Sequence, residues 1–285
     1  MGDKSSPRPS RCIAVIGATG QTGRLVLRNL FAIEGMDLTF QIYVRSQSKL
    51  ESLFPAISSD DRVTVFQGSI DDHSLMARCL SGVDTIICTL GENENIPGVR
   101  VMQDFAKSTL KALEILKERD HDRKPPRLIL LSSATWNERL SEPRPAILHW
   151  MIRNAFARPY QDLVNAQELL KASPSLLSMI LVQPNALVEE APSGCVIDPE
   201  FAYMAVSYED LAEGFLRLVT DPTYDGLDAV GVSSKNAKNG LLYIPFVLGK
   251  VIRGLMFQFI PGYWQTEFAV KGFLGEVFSR KKKQS

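Results

Sequence analysis

Cysteine and histidine are scarce in this 285-residue chain, and neither is patterned. The four cysteines, Cys12, Cys79, Cys88 and Cys195, form no CxxC pair, and the three histidines, His73, His121 and His149, show no HExxH spacing. These absences argue against a zinc centre and a disulfide framework, so no metal is expected. Cys12 and Cys88 fall inside apolar runs and read as small buried core residues. Net charge is lacking as well: 32 Lys and Arg balance 32 Asp and Glu. A neutral chain offers no general polyanion surface, so no nucleic-acid partner is expected. No uninterrupted apolar run is long enough to cross a bilayer, and no transmembrane segment is expected. The opening "MGDKSSPRPSR" lacks the apolar core of a secretory signal, which implies a cytoplasmic protein. It satisfies the loose Met-Gly-x-x-x-Ser acylation pattern, but the run that follows favours a plain disordered tail over residues 1–11.

What is present is an alternation. The runs "CIAVIG" (12–17), "LTFQIYVR" (38–45), "RVTVFQGS" (62–69), "DTIICTLG" (84–91), "RLILLSSA" (127–134), "LSMILVQP" (177–184) and "DAVGVSS" (228–234) read as strands. Helical periodicity falls between them at 24–33, 74–80, 98–120, 162–173 and 207–221. Buried strands alternating with helices give an α/β fold built on a doubly wound parallel sheet. Residues 12–235 then form one domain, interrupted by a long insertion at 135–159. Insertions after a sheet strand tend to be functional, and this one carries the aromatic-rich helix "AILHWMIRNAF". Trp150, Met151 and Phe156 are expected to line a lipophilic pocket with the apolar run "GLLYIPFVLGKVI". Residues 236–285 form a small C-terminal subdomain. Its apolar part, 240–278, has two readings: helices closing a substrate cleft, which we favour, or a membrane-surface element with Lys250, Arg253 and the terminal lysines facing lipid phosphates. The basic end "SRKKKQS" by itself reads as a solvated tail.

The clearest chemistry is in "GATGQTG", where Gly17, Gly20 and Gly23 follow a strand and open a helix. In that context the glycines serve the tight turn, the approach of a pyrophosphate and helix–sheet packing. The phosphates then meet the positive end of a helix. At the end of the second strand, where an acid would hold the ribose hydroxyls of NAD, the chain has "YVRSQSK". Arg45, with Lys49 and Arg24 near it, suits a 2′-phosphate and points to NADP(H).

These stretches, with "VFQGSIDD", the strand ending "LSSA", "YQDLVNAQELL", "LVQPNAL" and "SYEDLA", resemble the NmrA-like, atypical branch of the short-chain dehydrogenases. Within that branch they resemble the averufin oxidase A-like proteins of fungal secondary-metabolite clusters. The resemblance spans roughly residues 12–220 and implies a Rossmann-type fold. It implies that Gly17, Ala18, Thr19, Gly20, Gln21, Thr22 and Gly23 form the pyrophosphate loop, and that Arg45 holds the adenosine phosphate. Gly68 and Ser69 would border the adenine, Leu90 and Gly91 the adjoining ribose, and Gln183, Pro184 and Asn185 the nicotinamide. Ser132 and Ser133 match the serine that polarises a substrate carbonyl, and Tyr160 matches the proton-donating tyrosine. His149 is a further candidate for moving protons. One position departs from the pattern: Val164 stands where the family keeps a lysine. Valine supplies neither its charge nor its hydrogen bond to the ribose, and the neighbouring Asn165 offers a bond without charge. Three functions follow: an NADP(H)-dependent oxidoreductase of natural-product metabolism acting on a small lipophilic, polycyclic substrate; a non-redox isomerase or cyclase on the same fold; or a non-catalytic NADP(H) sensor.

Overall fold

The β-branched and leucine-rich runs pair as strands: β1 (Arg11–Ile16), β2 (Leu38–Val44), β3 (Val63–Gln67), β4 (Thr85–Cys88), β5 (Arg127–Leu131) and β6 (Ser178–Gln183). Three short strands follow, β7 (Ala186–Val188), β8 (Cys195–Asp198) and β9 (Ala205–Ser207), and then β10 (Ala229–Ser234). The computed structural model describes residues 11–140, 146–238 and 243–271. The first ten residues of the expected tail, the basic end and part of the insertion lie outside them.

Eight strands form one sheet in the order β3-β2-β1-β4-β5-β6-β10-β8. Every pair is parallel except β10 with β8. The order reverses direction between β1 and β4, which opens a crevice at the carboxyl ends of those strands. Strand periodicity divides the core between the two faces. Ile13 and Val15 of β1 join one apolar cluster, with Val26, Leu27 and Leu30 of α1 (Gln21–Phe31) and Phe215 of α7 (Tyr208–Thr220). Ala14 and Ile16 point the other way, toward α3 (His73–Cys79), α4 (Val101–Arg119) and α6 (Ala157–Lys171). Complete burial of side chains such as Phe40, Phe105 and Phe215 contributes roughly 1.5–3 kcal/mol each.

The insertion forms α5 (Ala146–Ala155), which packs through Ile152 and Ala155 on Val251 of α8 (Ile244–Phe259). Among the described residues no helix is long and apolar enough to cross a membrane.

Some elements differ from the sequence reading. α6 starts five residues before the expected 162, so Tyr160 is already helical. Pro159 is no break there, because in the first turn its missing N–H has no intrahelical partner to lose. A further helix, α2 (Gln47–Leu53), begins within "RSQSK": Ser46 caps it by accepting from the Lys49 N–H. The pairing of β7 with β9 spans three residues a strand, too few to display alternation. Cys88 is buried as expected, whereas Cys12 is only half-buried.

Candidate functional site

The turn after β1 is held by its own backbone. Gly17 has φ +94°, and a side chain there would strike Thr89. A methyl on Gly23 would lie 2.1 Å from the Gly17 carbonyl oxygen, so only glycine lets α1 start this close to the loop. Gly20 donates to the Gly17 carbonyl at 3.0 Å. It begins α1 without any side-chain cap, and no acidic residue occupies the first turn. The leading N–H groups and the positive end of the helix dipole are therefore left for an external anion, which is what a dinucleotide pyrophosphate requires. Within the loop Ala18 and Thr22 are buried, Thr19 is half-buried and Gln21 is exposed. Gln21 donates to Glu189 at 3.0 Å, tying the loop to the chain beyond β7.

Arg45 follows β2, exposed and without an ion pair among the described residues. Arg24 is likewise exposed on α1, and Lys49 lies in the first turn of α2. Gly68 and Ser69 follow β3, next to Arg45's strand, and the Ser69 carbonyl accepts from the Tyr43 hydroxyl at 2.6 Å. Burial pushes the Tyr43 phenol up to about 12, with Asp72 adding to the effect.

A cavity of about 470 Å³ opens beside this loop. Gln21, Leu90 and Gly91 line the side next to the glycine turn, and Ser133, Thr135 and Tyr160 gather three hydroxyls on it. Ser133 Oγ lies 3.4 Å from Tyr160 Oη and 3.2 Å from Thr135 Oγ1, which is itself 3.3 Å from Tyr160 Oη. Trp136 meets the Tyr160 ring edge-on at 5.8 Å and Phe156 lies at 5.7 Å, fixing the phenol's direction. Thr135 was not legible as a site residue, since nothing in "SSAT" says that the chain folds its third hydroxyl back into the group.

The other expected residues divide. Ser132 lines the cavity, but its hydroxyl accepts from Gln167 at 2.9 Å and from Gln183 at 3.2 Å. It braces the strand end, leaving Ser133 to face Tyr160. Gln183 also bonds the Ser133 carbonyl and accepts from Asn137, and it borders a neighbouring cleft rather than this cavity. Pro184 and Asn185 do line the cavity, with the Asn185 amide tied to the Ala202 and Tyr203 carbonyls. His149 is half-buried on α5 and is not part of the lining. Of the three insertion residues expected there, only Phe156 lines the cavity, joined by Ile152. Trp150 lies outside it, 51% exposed and stacked on Phe259, and Met151 packs between α5 and α8. Val164 borders the neighbouring cleft with Gln167 and Lys171.

Buried polar residues brace the elements around the cavity, two of them, Asp162 and Asp210, inside the stretches "YQDLVNAQELL" and "SYEDLA". Asp162 is buried and accepts from the Met102 and Gln103 N–H groups at 2.9 and 3.0 Å, capping α4 from the first turns of α6. Asn95 is buried where four segments meet: its amide donates to Asn154, Gly254 and Gln258, and its carbonyl oxygen accepts from the Arg158 N–H. Asp210 of "SYEDLA" does similar work, taking the Ser193 and Gly194 N–H groups and the Ser234 hydroxyl. Lys250 reaches the lining from α8; partial burial lowers its pKa and the charge of Glu189 opposes the shift. Burial and then Glu189 raise the pKa of Tyr208 on the same wall.

The profile of the NAD(P)H-binding family matches residues 17–222. The oxidoreductase AgnL4 of Paecilomyces divaricatus is 34% identical over 233 residues, covering 81% of this chain and 87% of that protein. The oxidoreductase stcQ of Emericella nidulans is 31% identical over 273 residues, 95% of this chain and 97% of that one. Among solved structures, a short-chain dehydrogenase/reductase from Veillonella parvula in complex with NADP has a TM-score of 0.61 at 20% identity. That likeness covers 81% of this chain and 97% of the other, and it is a likeness of fold.

Proposed function

Because the chain belongs to the NAD(P)H-binding family, we propose that it is an NADP(H)-dependent oxidoreductase of fungal natural-product metabolism. Its substrate is a small lipophilic molecule, a polycyclic aromatic carbonyl compound or the matching alcohol. The observation that carries this reading is the group of three hydroxyls, Ser133, Thr135 and Tyr160, facing the same cavity as Gln21, Leu90 and Gly91. The glycine turn and the uncapped start of α1 fit the pyrophosphate, and Arg45 fits a 2′-phosphate by charge and exposure. When bound, the cofactor supplies or accepts the hydride.

The chain's own part is to hold the substrate oxygen and move one proton. Tyr160 Oη donates that proton to the developing alkoxide, or takes it in the reverse direction. Ser133 Oγ is a second donor to the same oxygen. Thr135 sits within hydrogen-bond reach of both and stabilises negative charge left on the Tyr160 oxygen. It thereby offsets part of what the family's lysine provides. Met102, Leu163, Met204 and Phe257 supply an apolar wall suited to a flat, fused-ring substrate. A sensor would have little use for such a wall. An isomerase or cyclase would use the same hydroxyls, so the two enzymatic readings separate on stoichiometry. Product is quantified by chromatography while NADPH absorbance is followed, with a panel of aromatic ketones and quinones as substrates. One NADPH lost per product is the expected result; product with unchanged NADPH would overturn the redox reading.

A further inference from the structure

The cavity carries charge as well as the three hydroxyls. Glu92, Glu94 and Glu189 line it against two bases, Lys250 and Arg253, both from α8. Arg253 is held in place: it pairs with Glu94 at 2.6 Å and with Glu267 at 2.8 Å, and its guanidinium lies 4.5 Å over the Phe257 ring. Glu92 turns back on its own loop and accepts from the Asn93 and Glu94 N–H groups. The other two charges belong together. Glu189 accepts from the Gln21 amide at 3.0 Å, and its charge acts on Lys250 in the same lining. Gln21 is the first residue of α1, whose leading N–H groups have no side-chain cap. Hydrogen bonding and charge thus run from the anion-seeking start of α1 through Glu189 to the ammonium of Lys250.

A carboxylate beside a pyrophosphate would repel it. The ammonium of Lys250 offsets Glu189 and adds the point charge with which lysine meets a phosphate. Sheet order distinguishes the two phosphates. β2 and β3, followed by Arg45 and Gly68, lie on one side of β1, and β4, β5 and β6 lie on the other. Glu189 follows β7, the strand after β6, and α8 shares its cavity with the hydroxyls. Lys250 therefore belongs to the half of the crevice away from Arg45. Tyr160 stands in that half, and Val164 one turn on brings it no charge and borders the neighbouring cleft. Lys250 is exposed, so an incoming anion can reach it. We propose that Lys250 binds the nicotinamide-side phosphate of the dinucleotide, so that a helix beyond the family match of residues 17–222 completes the cofactor site. This rests on the reading of the glycine turn as an NADP(H) site, and not on whether the reaction is redox.

The test is calorimetry on the full chain with NADPH, with 2′-phospho-ADP-ribose, which keeps both bridging phosphates, and with 2′,5′-ADP, which lacks the nicotinamide-side one. Lys250→Gln should weaken NADPH and 2′-phospho-ADP-ribose by about tenfold, the worth of one charge-assisted hydrogen bond at an exposed site, and 2′,5′-ADP by less than about twofold. Lys250→Arg keeps the charge and should recover most of the loss. An unchanged Tm in both variants reports the fold. If Lys250→Gln binds NADPH and 2′-phospho-ADP-ribose as the wild type does, the proposal fails and the cofactor reading stands. Equal losses on all three probes would also overturn it, because the effect would then not belong to the nicotinamide-side phosphate. Unchanged cofactor affinity with a raised KM for a carboxylate-bearing substrate would give Lys250 to the substrate instead. A wild-type chain that binds none of the probes would defeat the NADP(H) reading and the role of Lys250 with it.

Discussion

Replacing Asp162 by Ala should destabilise the fold without removing a catalytic group. Its buried carboxylate accepts the Met102 and Gln103 N–H groups at 2.9 and 3.0 Å, and the Gln103 side chain at 3.2 Å. Alanine leaves two main-chain donors at the start of α4 without an acceptor, in a place where Met102 is buried. An unsatisfied buried donor costs about 1–3 kcal/mol, and loss of an N-terminal cap about 0.5–2 kcal/mol. Because Gln103 is partly exposed and gains water, the smaller end applies to one donor, and a total of about 3 kcal/mol results. An unfolding entropy of roughly 2.1 cal/mol/K per residue over 285 residues gives a Tm lower by about 5 °C. Asp162→Asn keeps one oxygen acceptor and should lose about half as much. Calorimetry gives the Tm, and a parallel NADPH titration reports the proposed cofactor site at the glycine turn. A variant with unchanged Tm and lost turnover would refute the reasoning and make Asp162 a participant in the chemistry.

Tyr160→Phe should lower turnover by about 10²–10⁴-fold with NADPH affinity retained; a loss under about threefold would remove the phenol from the mechanism. Thr135→Val should lower kcat by roughly tenfold, the worth of one hydrogen bond, again at constant NADPH affinity, and an unchanged kcat would count against its supporting role. Arg45→Ala should cost about 1.5–3 kcal/mol in NADPH binding and little in NADH binding, so calorimetry that finds equal losses would defeat the 2′-phosphate assignment. Thiol titration of the native chain near neutral pH should find at most Cys12. Burial holds the Cys88 thiol up at about 12 and closes Cys79 and Cys195 to reagent as well; rapid labelling of a second cysteine would contradict this packing.

The parallel sheet and the glycine turn were legible because each has a local cause. β-branched runs alternate with helical periodicity, and Gly17 and Gly23 sit where any side chain would strike Thr89 or the loop's own carbonyl. The outward face of α5 was not legible, because Trp150 and Ile152 are both apolar and periodicity alone does not say which side turns inward. Asn95, Asp162 and Thr135 were missed for a different reason. Their partners lie on separate segments, such as Gly254 for Asn95 and Met102 for Asp162. Ser132 and Ser133 were indistinguishable as neighbours in "LSSA" until Gln167 and Gln183 were seen to engage one of them. Val164 was legible as a departure, while the Thr135 hydroxyl beside Tyr160 emerged only from the fold.

Transfer of the cofactor's hydrogen tests the central claim most directly. The enzyme is incubated with NADPH deuterated at the transferable C4 position and an aromatic carbonyl substrate, and the product is read by mass spectrometry. One deuterium in each product molecule, with one cofactor oxidised, is the outcome expected of a reductase that works through Ser133, Thr135 and Tyr160. Product that carries no deuterium and leaves the cofactor reduced would contradict it.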